Sequence, residues 1–170
     1  MTSETEMRQL YDRDFVQWTE NQATALRRAQ STYGSSAGAN LPLDWENLAE
    51  EIESLGTSDR RALHSHIRRI VRHLLKLAAS PAPAPRRGWA LTTCEARADI
   101  AAVLRDSLSL RHEIDGIIAE EAGLAAELAA ADLEQHGELT SPVQDQLHRT
   151  TFTADQVLDY WFPDSPELEL

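Results

Sequence analysis

Apolar residues return at three- and four-residue steps from the start of the chain. Met7, Leu10/Tyr11, Phe15, Trp18, Ala25/Leu26 and Ala29 form one such stripe, the mark of an amphipathic helix. Ser3 with Glu6 makes a capping box before it, so a helix is predicted over Glu4–Gln30. Residues 32–42, rich in Gly, Ser and Ala, have no period and are predicted as a flexible loop. Asp44 then caps a second run whose stripe is Leu48, Ile52, Leu55, Ala62/Leu63, Ile67, Ile70/Val71, Leu74 and Leu77/Ala78. Its phase does not slip across Gly56. One long helix ending before Pro81 is therefore predicted, kinked near Gly56, with two helices broken there as the alternative. Acids fill its first half and Arg60, Arg61, Arg68, Arg69, Arg72 and Lys76 its second, which complements the helix dipole.

The alternating prolines of residues 80–87 predict an extended connector. A helix follows over about Gly88–Leu104, then a turn and cap at Ser107–Arg111. An Ala/Glu-rich helix comes next and ends at Gly137, its weak stripe placing it on the outside. Thr153 with Gln156 caps a short last helix expected to dock its aromatics. No strand-like alternation or solenoid repeat is present. The pattern predicts an all-α, single-domain helical bundle over residues 1–170, with about five helices and one long central helix packed antiparallel to the first.

Composition narrows the function classes. Cys94 is the only cysteine of the 170 residues, so no internal disulfide forms and a reducing compartment fits. Met1–Asp14 lacks the apolar core of a signal peptide, and no apolar run is long enough for a membrane span. A cytoplasmic protein is expected. The net charge is −12 and uneven: residues 1–105 carry 14 Lys+Arg against 13 Asp+Glu, whereas residues 106–170 carry 2 against 15. Such acidity disfavours nucleic acid, which binds through phosphate neutralisation, and a basic protein partner is easier to defend.

Several strings carry a resemblance: Tyr11-Asp-Arg-Asp-Phe-Val-Gln-Trp18, Leu43-Asp-Trp-Glu-Asn-Leu-Ala-Glu-Glu-Ile-Glu-Ser-Leu-Gly56, His73-Leu-Leu-Lys76, Trp89 with Thr92 and Arg97, and Ser107-Leu-Ser-Leu-Arg111. Together they resemble the bacterial domain of unknown function 29 family over about residues 8–162. Tyr11, Trp18, Asn47, Glu50, Glu53, Trp89, Thr92 and Arg111 are the family-like positions. The resemblance implies an all-helical domain and supplies no catalytic residues. Leu108 stands where the family usually carries proline, and residues 33–40 look like an insertion.

Polar residues on or beside apolar stripes are the candidates for chemistry. Asp14 and Gln22 share a helical face with Tyr11 and Trp18, which at that spacing read as core, and Glu51 lies between Leu48 and Leu55. Buried acids need partners. Arg69, His73, Lys76 and Arg97 are the candidates, and a buried polar network of Asp14, Gln22, Glu51, His73, Lys76 and Arg97 is expected, structural rather than catalytic. A metal site is not expected. Glu50 and Glu53 lack a Glu-x-x-His partner, His64 and His66 lie about 200° apart on a helix, and His66 and His73 about 10 Å apart along it. Arg68 and His73 match the Arg-x4-His pattern of HEPN ribonucleases, but lie about 140° apart on a straight helix. Cys94 is expected to be a buried structural thiol. No glycine phosphate loop, nucleophile elbow or zinc spacing occurs.

The sequence thus points to a helical module that works by association with an unknown protein partner or by self-association, regulatory in kind, without cofactor or catalysis. A hydrolytic, metal-assisted enzyme built on Asp14, Glu51, His73 and Lys76 is the alternative.

Overall fold

The computed structural model describes residues 4–33 and 43–163. Among these the chain forms seven α-helices and no strand: α1 (Glu4–Arg13), α2 (Phe15–Tyr33), α3 (Trp45–Ala79), α4 (Arg86–Asp106), α5 (Ile114–Gln135), α6 (Ser141–Arg149) and α7 (Ala154–Leu158). A 3-10 turn, Leu108–Glu113, joins α4 to α5. The all-α class and the long helix are as the periodicity predicts. Ser3 and most of the expected 32–42 loop lie outside the described residues.

Two differences, at Asp14 and in α5, and the expected continuity of α3 have physical reasons. The expected first helix is divided at Asp14, whose backbone bridges to Ser107. The last hydrogen bond of α1 runs from the Asp14 N–H to the Leu10 carbonyl and the first of α2 from the Trp18 N–H to the Asp14 carbonyl, while the Val16 and Gln17 N–H groups between them donate to Ser107 Oγ and Asp14 Oδ1. Helix α3 is unbroken at Gly56, where the glycine serves close packing. A β-carbon there would sit 3.5 Å from Val16 Cα and inside the contact distance of Thr19 Oγ1. Finally α5, expected outside, buries Ile114, Ile117, Ile118, Ala125, Ala126, Ala129, Ala130 and Leu133. Alanine carries little hydrophobic signal in a sequence, yet it lets helices approach closely and fill a core.

The caps are local. Asp44 Oδ1 accepts the Asn47 N–H at 3.2 Å, as expected at the start of α3. Thr153 and Gln156 form the predicted reciprocal capping box on α7. The connector after α3 is non-helical through Pro85, and Arg86 closes the end of α3 by donating to the Ser80 and Leu77 carbonyls, both at 2.8 Å. Helix α6, absent from the periodicity, is short and capped by Thr140, with Pro142 in its first turn.

The chain divides into two compact units, one of Met1–Ala62 with Val103–Arg111, the other of Leu63–Ala102 with His112–Leu170. In the first, Val16, Ala23, Ala49, Leu104 and Leu110 are buried. Arg27 reaches Glu53 at 2.9 Å and Glu46 at 3.3 Å, and Glu20 reaches Arg60 at 3.2 Å, so positions rising along α2 meet positions falling along α3. The two helices are antiparallel. The second unit is built on Leu63, Ile67, Ile70, Leu74, Leu75 and Leu77 of α3, with Ala96 and Ile100 of α4 and the buried face of α5.

Candidate functional site

The first unit holds a carboxylate–serine cluster that joins two of the family-like strings. Asp14 is buried. Its Oδ2 accepts the Ser109 N–H at 2.6 Å, and its Oδ1 accepts the Ser109 hydroxyl at 2.9 Å and the Gln17 N–H at 3.1 Å. Ser107, fully buried, accepts the Val16 N–H at 3.3 Å through Oγ and hydrogen-bonds to Asp59. Burial raises the Asp59 carboxyl above its ordinary range, the Ser107 bond opposes this, and Asp106 adds to it. A hydroxyl paired to a carboxylate without an imidazole lacks the base that activates a nucleophile. This cluster fastens the 3-10 turn to α2 and α3.

In the second unit the ion cluster is Lys76–Asp132–Arg72. Asp132 takes Lys76 Nζ at 2.8 Å and the two guanidinium nitrogens of Arg72 at 2.5 and 2.9 Å. Burial would raise the Asp132 carboxyl, but the bonds from Arg72 and Lys76 outweigh it and hold it low. Burial likewise lowers the Lys76 ammonium against the pull of Asp132, and the same ammonium lies 4.7 Å from the centre of the Trp89 ring. Next to it, burial first and then the Lys76 and Arg72 charges push His73 down to about 4, with Asp132 opposing and Arg69 adding a little. His73 Nδ1 is buried without a hydrogen-bond partner. Arg97 meets backbone instead: its Nε donates to the Val157 carbonyl at 2.9 Å and its Nη2 to the Gln156 and Trp161 carbonyls at 2.8 and 2.7 Å, it lies 4.9 Å from the Phe162 ring, and its buried Nη1 has no hydrogen-bond partner. Arg97 therefore closes the end of α7 and holds the segment after it.

The expected network of six residues does not assemble as one. Asp14 is satisfied by Ser109, Gln22 is half-buried in a surface groove, and Glu51 is exposed. His73 and Lys76 sit with Asp132, and Arg97 with the α7 carbonyls. Side-chain direction on each helix decides this, and one stripe cannot report it. Of the remaining family-like positions, Asn47 donates to Asp44, Glu53 pairs with Arg27, Glu50 and Arg111 are exposed, and Thr92 is half-buried. Arg68 and His64 both meet Glu121, the imidazole Nδ1 at 2.8 Å and the guanidinium Nε at 2.9 Å in an ion pair lacking hydrogen-bond geometry. Cys94 is free and half-buried, more open than the sequence suggests. Among the described residues no three His, Cys, Asp or Glu side chains gather for a metal ion, and no helix is long and apolar enough to cross a membrane.

Two open grooves lie in the first unit. One, about 600 Å³, is polar and follows α3 along Asn47, Glu50, Glu51, Ser54, Thr57 and Arg61. The other, about 490 Å³, is lined by Met7, Arg8, Tyr11, Asp12, Trp18 and Gln22. Its aromatics are pre-arranged: Tyr11 meets Trp18 and Phe15 edge-on at 4.8 and 5.6 Å, and Phe15 and Trp18 stack at 5.9 Å. Tyr11 is 50% exposed, and Leu48 and Leu55 on α3 are 41% and 45% exposed. All three were expected in the core. Asp59, Ser107, Ser109, Glu121 and Asp132 escaped the sequence reading. The string Ser107–Arg111 was a signal for the serines, and nothing in an Ala-rich helix singled out Asp132.

These features define an all-helical fold in which Asp14, Asp132 and Arg97 each tie together segments distant in the chain. The profile described as "Domain of unknown function DUF29" matches residues 10–162, and the chain belongs to that family. It is similar to the crystal structure of an alpha-helical protein of unknown function from Rhodospirillum rubrum, with 28% identity, coverage of 89% of this chain and 90% of the other, and a TM-score of 0.59. No curated protein matches it.

Proposed function

We propose that the chain is a cytoplasmic module that acts by protein association, regulatory in kind, with its first unit as the docking region and no catalysis of its own. The observation that carries this reading is the half-open state of Tyr11, Leu48 and Leu55. They occupy stripes with the periodicity of a core, and large apolar side chains left open on such stripes mark surfaces completed by a partner. The free thiol of Cys94 fits a reducing compartment. The hydrolytic alternative loses support because Asp14 and Lys76 are each occupied by a structural partner and Glu51 stands apart on the surface.

The test is a photo-crosslinking amino acid placed at Tyr11 in the full chain, with irradiation in cells of the source organism. A discrete protein adduct that disappears when Trp18 is changed to Ser is expected. Irradiation that gives no protein adduct, from a chain whose circular dichroism is unchanged, overturns the reading.

A further inference from the structure

Helix α4 sets a free thiol beside an unspent guanidinium nitrogen. Cys94 and Arg97 stand three positions apart, neighbours on one helical face. Long side chains on a helix lean toward its N-terminus, so Arg97 extends over the turn that carries Cys94. Arg97 is only 9% exposed, and its Nε and Nη2 are committed to the Val157, Gln156 and Trp161 carbonyls. Nη1 is buried with no hydrogen-bond partner, a costly state for a donor on a charged group. Burial weighs against the Arg97 charge, and Cys94 leads the groups that support it, ahead of Asp159 and Tyr160. The thiol is half-buried and free, so small solutes reach it. Its sulfur leaves Nη1 unsatisfied, whereas an oxygen added to that sulfur lengthens the side chain and is a far better acceptor.

We infer that Cys94 is a site of reversible oxidation by a hydroperoxide, at which Arg97 Nη1 holds the sulfenate that forms. The sulfur attacks one peroxide oxygen: the S–O bond forms as the O–O bond breaks, sulfur gives up an electron pair to the peroxide, and the departing oxygen leaves as water or an alcohol with the proton of the thiol. Nη1 meets the negative charge that passes between sulfur and oxygen in this step. The sulfenic acid then loses its own proton to solvent, leaving an anion opposite the guanidinium. Cys94 is the only cysteine of the chain, so no internal disulfide consumes the product. A small-molecule thiol displaces the oxygen as water, and a second one frees Cys94 from the mixed disulfide. Because Nη1 is the nitrogen that α7 does not use, oxidation leaves the three carbonyl bonds in place.

The test treats the full chain with hydrogen peroxide in excess dimedone, which traps sulfenic acids, so that oxidation sets the rate and peptide mass spectrometry locates the adduct. Labelling of Cys94 is expected. It should run about tenfold faster than at position 92 of a chain carrying Thr92→Cys and Cys94→Ser, since that half-buried position is turned about 140° from Arg97 around the helix. The oxidised chain is expected to keep the indole emission of the reduced one. Arg97→Lys separates holding from access: a loosened α7 leaves iodoacetamide alkylation of Cys94 equal or faster, while dimedone labelling relative to alkylation falls about tenfold. Equal labelling at the two positions overturns the inference, and so does a ratio that Arg97→Lys leaves unchanged. If circular dichroism shows Arg97→Lys unfolded, the comparison with position 92 decides alone.

Discussion

Gly56 shows how much one hydrogen atom decides at the residue scale. Thr19 is fully buried and its hydroxyl is tied to the Val16 carbonyl at 2.7 Å, so it cannot swing away from a β-carbon added at position 56. Gly56→Ala is expected to destabilise the chain by about 1–3 kcal/mol despite alanine's better helix propensity. Thr19→Ala in the same chain should recover most of the loss by removing the obstructing oxygen. Chemical denaturation of the four members of this cycle gives the coupling. Equal losses for Gly56→Ala with and without Thr19 would contradict the close approach. The sequence showed that something was special here, since a glycine sits inside an unslipped stripe. It left kink and close packing open, because both call for the same residue and the obstacle lies 37 positions away in the chain.

Arg97 governs an element rather than a point. Its three carbonyl bonds gather the last turn of α7 and the Trp161 backbone, and Trp161 rests against Phe152 at 5.9 Å. Lysine keeps the charge but has no planar fork. Arg97→Lys is expected to lower stability by about 2–3 kcal/mol, to shift indole emission to the red as Trp161 is released, and to speed tryptic cleavage after Arg149. Unchanged emission and cleavage would show that packing alone holds α7. Elements of this kind were partly legible. The Thr153–Gln156 box marked the start of α7 correctly, and Asp44 marked the start of α3. Helix α6 was missed because two apolar residues, Val143 and Leu147, are too few to establish a period. The candidate site was less legible than the helices. Asp14, Lys76 and Arg97 are buried, and their partners come from segments that periodicity cannot bring into register.

For the whole molecule, acid should act chiefly through the second unit. His73 titrates at about 4 in the fold against an ordinary 6.5, so between these values the unfolded chain binds a proton that the native chain does not. Stability therefore rises with pH across that window and is lost as pH falls from 6.5 to 4, by at most about 3 kcal/mol. The groups facing His73 are Lys76, Arg72, Asp132 and Arg69. Asp132, held low, adds a loss of the same sign as pH falls through its own lowered value. His73→Gln should flatten the dependence of melting temperature on pH between 4 and 6.5 and leave the steeper fall below it. A slope unchanged by that substitution would mean that His73 is more hydrated than its burial implies.

One residue leaves a different kind of mark. Gly137, with φ at 69°, is the sole left-handed residue among those described, and the Glu138 N–H reaches back to the Leu133 carbonyl at 2.9 Å across it. The space beside its α-carbon is empty, so handedness alone, not crowding, decides what the position accepts. A mirror-image alanine would sit there at ease, whereas its natural counterpart would tend to unwind the reversal that delivers Glu138 to the Ser80 hydroxyl.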